Sequence, residues 1–188
     1  MNILCYGTLN FFLTHAGQSL SLASIQACCM KKIAVFPGSF DPITTGHVEI
    51  VRRAVPLFDE IVVAIGQNSQ KKYLFSLEQR MTWIRAVFKH EPSVRVAYYE
   101  QLTAHYCQAI GAKFLIRGLR NAADFDYEKT ISQLNDIVGH GLDTVFLISR
   151  PHFSHISSTI VREIILGGGD ASPFLPQEVT LDLKPKQS

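Results

Sequence analysis

Ile33-Ala34-Val35-Phe36-Pro37-Gly38-Ser39-Phe40-Asp41-Pro42-Ile43-Thr44-Thr45-Gly46-His47 is the stretch from which the fold can be read. Ile33 to Val35 is a short apolar run that predicts a buried β-strand, and the apolar spacing of Val48 to Val55 predicts a helix. Between them lies a loop with Gly, Pro and a hydroxyl, and the helix opens on Gly46-His47. A strand, such a loop and a helix start together make an anion site, because unpaired amides point outward there and the helix dipole favours negative charge. Gly38 and Gly46 have no Cβ, so both are expected to let the backbone come close to a ligand. His47, on the first helical turn, is aimed at whatever the loop holds.

Working outward, strand and helix signals alternate. Strands are predicted at Glu60–Ile65, Val94–Tyr98, Lys113–Arg117 and Thr144–Ile148. Helices are predicted from Ser76 to about Lys89, with Gln79 as capping-box partner, from Thr103 to Ile110 with Gly111 as its stop, from Asp124 to Val138, and from Ser157 to Leu166. A short last helix is expected over 176–183. Repeated βα units with continuous apolar strands define the fold class: α/β, a single Rossmann-like domain with a five-stranded parallel sheet flanked by helices. Ligands of such sheets bind beyond the C-terminal strand ends. That rule selects the loops 37–47, 66–73, 99–103, 117–127 and 149–159.

Composition is that of a globular chain, with 47% hydrophobic and 18% charged residues. A formal net charge of +2, with Lys and Arg spread out, argues against nucleic acid as a partner. No run reaches the roughly 18 apolar residues of a membrane span. Composition breaks at Met30: residues 1–29 hold no Asp, Glu, Lys or Arg and lack the basic start of a secretory signal. They are expected to be an extension outside the fold, either disordered or upstream of a natural start at Met30, with the working domain at 30–188. Cys5, Cys28 and Cys29 fall in that extension. Cys107 alone belongs to the domain, which fits a reducing, cytoplasmic setting, and its apolar neighbours predict a packing role.

The selected loops carry Ser39 and His47, then Lys71-Lys72, then Arg117-Gly118-Leu119-Arg120, then Ile156-Ser157-Ser158-Thr159 with Arg162 one turn on. Hydroxyls, helix starts, one imidazole and several cations suit a polyphosphate. There is no Walker lysine loop, no Gly-x-Gly-x-x-Gly fingerprint and no Cys/His cluster with metal-ligand spacing. Each group alone has a plainer role: His47 as a helix cap, the lysines as a solvated pair, Ser157 as an N-cap, Arg117 and Arg120 as surface ion-pair partners.

Thr44-Thr45-Gly46-His47 resembles the T-x-G-H signature of the nucleotidyltransferase superfamily, and Ile156-Ser157-Ser158-Thr159 with Val161-Arg162 resembles its second signature. Pro37-Gly38-Ser39-Phe40-Asp41-Pro42 and Ile116-Arg117-Gly118-Leu119-Arg120, followed by Asp124-Phe125-Asp126-Tyr127-Glu128, are similar to one branch, the phosphopantetheine adenylyltransferases of coenzyme A synthesis. The resemblance spans Met30 to about Glu178. It implies adenylyl transfer from ATP to 4′-phosphopantetheine, with magnesium held through phosphates and water, in a cytoplasmic homohexamer. It implies His47 and Lys71 as catalytic groups. It implies ATP contacts from Ser39, Phe40, His47, Gly118, Leu119, Arg120, Glu128, Phe153, Ser154, His155, Ile156, Ser157, Ser158 and Thr159. It implies phosphopantetheine contacts from Ser39, Lys71, Thr103, Arg117 and Asn135. His155, where the family usually has an aromatic residue, and Asp136, where a basic one is common, depart from the pattern. The rivals are transferases of the same superfamily acting on nicotinate mononucleotide or on glycerol phosphate with CTP, and a non-catalytic nucleotide-binding regulator.

Overall fold

The computed structural model describes residues 31–181 apart from residue 69. The extension at 1–29, with its three cysteines, lies outside the described residues. Strand β1 (Ile33–Gly38) leads into helix α1 (Thr45–Ala54), β2 (Glu60–Gly66), α2 (Leu77–Val87), β3 (Val94–Tyr99), α3 (Thr103–Ala109), β4 (Phe114–Leu119), α4 (Ala122–Val138), β5 (Asp143–Ile148) and α5 (Ser158–Leu166). All five strands pair in parallel, in the order β3-β2-β1-β4-β5. This is the α/β, Rossmann-like sheet expected from the alternating pattern.

Side chains of a strand alternate between faces, so β1 feeds two cores. Ala34 and Phe36 pack with Ile61, Val63, Ile65 and Ile116 under α1, α2 and α5, which contribute Ile50, Val51, Trp83, Ile84, Val161 and Ile165. Val35 faces the other way with Val62, Ala64 and Leu115, covered by Ala104, Tyr106 and Cys107 of α3. Cys107 is fully buried and burial pushes its thiol up to about 12, so it packs and does not ionise. Helix α4 contributes no buried residue.

Strand order decides where a ligand can sit. From β1 the chain goes to β2 on one side and later returns to β4 on the other. The helices that follow β1 and β4 therefore diverge and leave a crevice at the ends of these two strands.

The expected ends shift in places. β1 continues through Phe36, Pro37 and Gly38 because its pairing with β2 runs on to Gly38 opposite Ile65. α4 starts before Asp124, since Asn121 accepts the Asp124 amide at 2.9 Å and caps the helix. The box expected at α2 is one-sided: the Ser76 hydroxyl accepts the Gln79 amide at 3.2 Å, with no return bond to Ser76. The last helix is corrected. Residues 176–181 form a turn at 177–178 and otherwise no regular structure, and Val179 and Leu181 reach the core without a helix; a 3₁₀ turn precedes them at Ser172–Phe174. The rest of that segment lies outside the described residues. Among the described residues no helix is long and apolar enough to cross a membrane.

Candidate active site

Thr44 starts the site. It is the N-cap of α1 in extended conformation, and its hydroxyl lies 3.5 Å from the His47 amide that donates to it. His47 closes the cap from the other side, since its Nδ1 accepts the Thr44 amide at 3.1 Å and sits 3.0 Å from the Thr44 hydroxyl. A backbone N–H can only donate, so Nδ1 must carry a lone pair. The proton of the neutral ring is therefore on Nε2, which is free to donate to a ligand.

Electrostatics keeps the ring neutral. Burial first, then the charges of Arg120 and Arg117, lower the His47 pKa from 6.5 to about 4. The rings of Phe40 and Phe36 meet the imidazole edge-on at 5.1 and 6.2 Å between centroids. The folded pKa lies below the unfolded one, so folding favours the neutral form. The stability this confers is complete above about pH 6.5 and drains away as pH falls towards 4. Nitrogen-15 NMR of the ligand-free protein is expected to show an Nε2–H tautomer at pH 7 and a midpoint near 4; titration near 6.5 would refute this assignment.

The loop before the helix is shaped by Phe40. This residue adopts a left-handed backbone (φ 45), rare for a bulky side chain, and its ring turns into the core with 1% exposure. A Cβ on Gly38 would stand 2.9 Å from that ring. Gly38 is thus demanded by the packing of Phe40, in addition to its place in the wall of the crevice. A Cβ on Gly46 would meet nothing closer than 3.6 Å, so protein packing does not demand that glycine.

Two cavities open at the crevice between β1 and β4. The first, about 240 Å³, is lined by Gly46, His47, Gly118, Arg120, Phe153, Ile156, Ser157 and Ser158, among others. The second, about 330 Å³, is lined by Ser39, Lys71, Tyr73, Thr103, Ser132, Asn135 and Thr144, among others. They share Pro37, Gly38, Arg117 and Glu128 as a common wall. Phe40 lines the first with the edge of a buried ring.

Not every candidate reaches a cavity. Leu119 is buried, and Ser154, His155 and Thr159 line neither cavity. The Ser154 hydroxyl donates to the Pro151 carbonyl, His155 is exposed beside the Phe174 ring, and the Thr159 hydroxyl accepts from Arg162. Ser39 lines only the second cavity, although both ligands were expected at it. The hydroxyls of Ser157 and Ser158 are already engaged, one accepting the Ile160 amide and the other donating to the Pro42 carbonyl. What α5 offers the first cavity is its N-terminal amides, since the first intrahelical backbone bond starts at Val161.

The arginines are held by carboxylates. Arg117 donates through Nε to Glu128 at 2.8 Å, through Nη2 to the other Glu128 oxygen, and through Nη1 to the Pro37 carbonyl at 3.0 Å. Arg120 grips Asp124 with two bonds of 2.9 and 3.1 Å. That partner, with the Arg120 hydrogen bonds first, holds the Asp124 carboxyl below its ordinary range. Lys71 is exposed at the second cavity and makes no ion pair among the described residues. Sequence reading missed Asp41 and Arg80, both 1% exposed, because their partners lie more than thirty residues away.

A parallel sheet with a histidine-capped helix after β1 and amide-bearing helix starts around a divided crevice is a nucleotidyl-transfer domain of the cytidylyltransferase-like family, whose model matches residues 35–164. The solved nicotinate-nucleotide adenylyltransferase candidate from Vibrio parahaemolyticus shares this fold, with a TM-score of 0.62 at 18% identity over 80% of this chain and 90% of that one. The chain belongs to the phosphopantetheine adenylyltransferase family. It is 52% identical to the phosphopantetheine adenylyltransferase of Flavobacterium psychrophilum over 80% of this chain and 98% of the relative. It is 48% identical to that of Cytophaga hutchinsonii over 80% of this chain and the whole relative.

Proposed function

We propose that this chain transfers the adenylyl group of ATP to 4′-phosphopantetheine, giving dephospho-coenzyme A and pyrophosphate. The observation that carries this reading beside the family is the pair of cavities with one shared wall, His47 in the first and Lys71 in the second. ATP occupies the first, with its β,γ-phosphates on the amides at the start of α5. Phosphopantetheine occupies the second, its phosphate on Lys71 and Arg117 and its arm along Thr103 and Asn135.

A phosphate oxygen of phosphopantetheine attacks the α-phosphorus; the new P–O bond forms as the bond to the β-phosphate oxygen breaks, and pyrophosphate leaves with that electron pair. The nucleophile is already an anion, so no base is required. The protein's task is to align two polyanions and to stabilise charge that builds on the transferring group. His47 does the latter with its Nε2–H, as a neutral donor whose ring is held in place by the Thr44 amide.

Magnesium fits as an ion carried on the nucleotide. The two carboxylates that line the first cavity, Asp124 and Glu128, are already engaged by Arg120 and Arg117. When bound it would neutralise phosphate charge.

An assay of pyrophosphate release with ATP tests the reading. Phosphopantetheine is expected to support turnover and nicotinate mononucleotide to leave it at background; a preference for the mononucleotide would overturn the reading. The chain is also read as a cytoplasmic homohexamer. The C-terminal turns of α4 leave Leu134 and Ile137 54% and 72% exposed, an apolar face suited to other copies of the chain. Sedimentation equilibrium is expected to return six chain masses, and a monomer would refute the assembly.

A further inference from the structure

Two buried charges lie outside the groups assigned above. Asp41 and Arg80 are each 1% exposed, and a buried charge is tolerated only when its polar atoms find partners. Asp41 is hydrogen-bonded and paired with Arg162, and Arg80 is hydrogen-bonded to backbone carbonyls. The two Asp41 carboxylate oxygens accept the amides of Leu74 and Phe75, each at 2.9 Å. Arg162 of α5 donates to the Asp41 backbone carbonyl at 2.7 Å and stands 3.8 Å from its carboxylate. Arg80 of α2 donates to the Ser39 carbonyl at 2.7 Å and to the Phe75 carbonyl at 3.2 Å. Its guanidinium also lies 4.2 Å over the Tyr73 ring. The Tyr73 hydroxyl accepts the Asn68 amide at 3.0 Å, which closes the loop that carries Lys71.

Three parts of the site therefore meet on one carboxylate: the Lys71 loop of the second cavity, the loop bearing Ser39 and His47, and helix α5 of the first cavity. We propose that Asp41 is a positioning residue that holds the Lys71 loop in register with the start of α5, so that the phosphates of the two substrates meet at bonding distance. The inference rests on the substrate reading above. Asp41 lines neither cavity, so it acts through the groups it holds. Lysine's long stem leaves its ammonium free to wander, so its reach is set by where the backbone of its loop is anchored. A carboxylate suits that anchor because it presents two acceptors to two adjacent amides. Asparagine has one acceptor, and its NH₂ would face a second N–H.

The test is a double-mutant cycle on kcat/KM for phosphopantetheine, with Asp41→Asn, Lys71→Ala and the two combined. Asp41→Asn is expected to lower kcat/KM roughly 10- to 100-fold, since a misplacement of about 1 Å can cost that much. In the Lys71→Ala background the same change should cost less than about threefold, because there is no ammonium left to position. Losses that simply multiply would overturn the inference, and so would an Asp41→Asn enzyme of undiminished kcat/KM. If Asp41→Asn does not fold, Arg162→Met takes its place: it cuts the tie at α5 and leaves both loop amides bonded, and the same non-additivity with Lys71→Ala is expected or the inference falls. Lys71→Ala with an unchanged KM for phosphopantetheine would instead sink the substrate reading itself, which separates the two failures.

Discussion

Replacing His47 with alanine is expected to lower kcat by about 10²–10³ and to leave both KM values within a few-fold. The imidazole donates where charge appears only as the bond to pyrophosphate breaks, so its loss falls on the transition state more than on bound substrates. Alanine also removes the acceptor of the Thr44 amide, and loss of a helix cap costs about 0.5–2 kcal/mol of stability. His47→Gln separates the two effects. Glutamine at the third helical position can accept the N-cap amide, as in an ordinary capping box, and so keeps Tm near that of the parent. Its kcat should still fall by most of the alanine value. An alanine variant with the parent's kcat would remove His47 from the chemistry.

Arg117→Gln is expected to lower kcat/KM for phosphopantetheine by roughly 10²–10³, the scale of about 2–5 kcal/mol for truncating one member of a hydrogen-bonded charge pair. Two losses combine. The guanidinium no longer holds the phosphate, and Glu128, whose side chain is 12% exposed in the wall between the cavities, is left as an unpaired anion facing two polyanions. Adding Glu128→Gln to Arg117→Gln removes that repulsion and should recover about tenfold. A double variant no better than the single would show that repulsion is not the source. An Arg117→Gln enzyme within about threefold of the parent would discard the clamp.

These effects follow from pairings that spacing along the chain does not reveal. Arg117 and Glu128 both belong to the block that resembles the family, yet nothing in the order of residues shows that they bind each other before any substrate arrives. The same holds for Arg120 with Asp124. A phosphate entering the site would share these guanidiniums with their carboxylates, whereas Lys71 makes no ion pair among the described residues. Ser157 and Ser158 make a similar point. Their sequence promised hydroxyl donors, while the fold spends the Ser158 proton on the Pro42 carbonyl and ties the Ser157 oxygen to the α5 cap as an acceptor.

Periodicity was informative where structure is local. Continuous apolar strands, Ser157 as a cap and Gly111, at φ 70, as the stop of α3 each depend on neighbours a few residues away. The capping role of Asn121 was open to the same reasoning, three residues before Asp124. The expected helix over 176–183 failed for a tertiary reason: Val179 and Leu181 reach the core without helical spacing, because the surface they cover sets their conformation.

By itself, then, the amino-acid sequence determined the alternation of strands and helices, the parallel sheet and the loops from which a phosphate site is built, since these rest on short-range patterns of apolar side chains and backbone donors. It also placed His47 on the first turn of α1. Only the tertiary structure decided that Nε2 carries the proton, that Gly38 makes room for the Phe40 ring, that Arg117 and Glu128 form one wall between two cavities, and that the Asp41 carboxylate meets both the Leu74–Phe75 amides and Arg162. Each of those depends on which groups stand within about 3 Å of one another in a low-dielectric interior, and distances between residues far apart in sequence are set by the packed sheet.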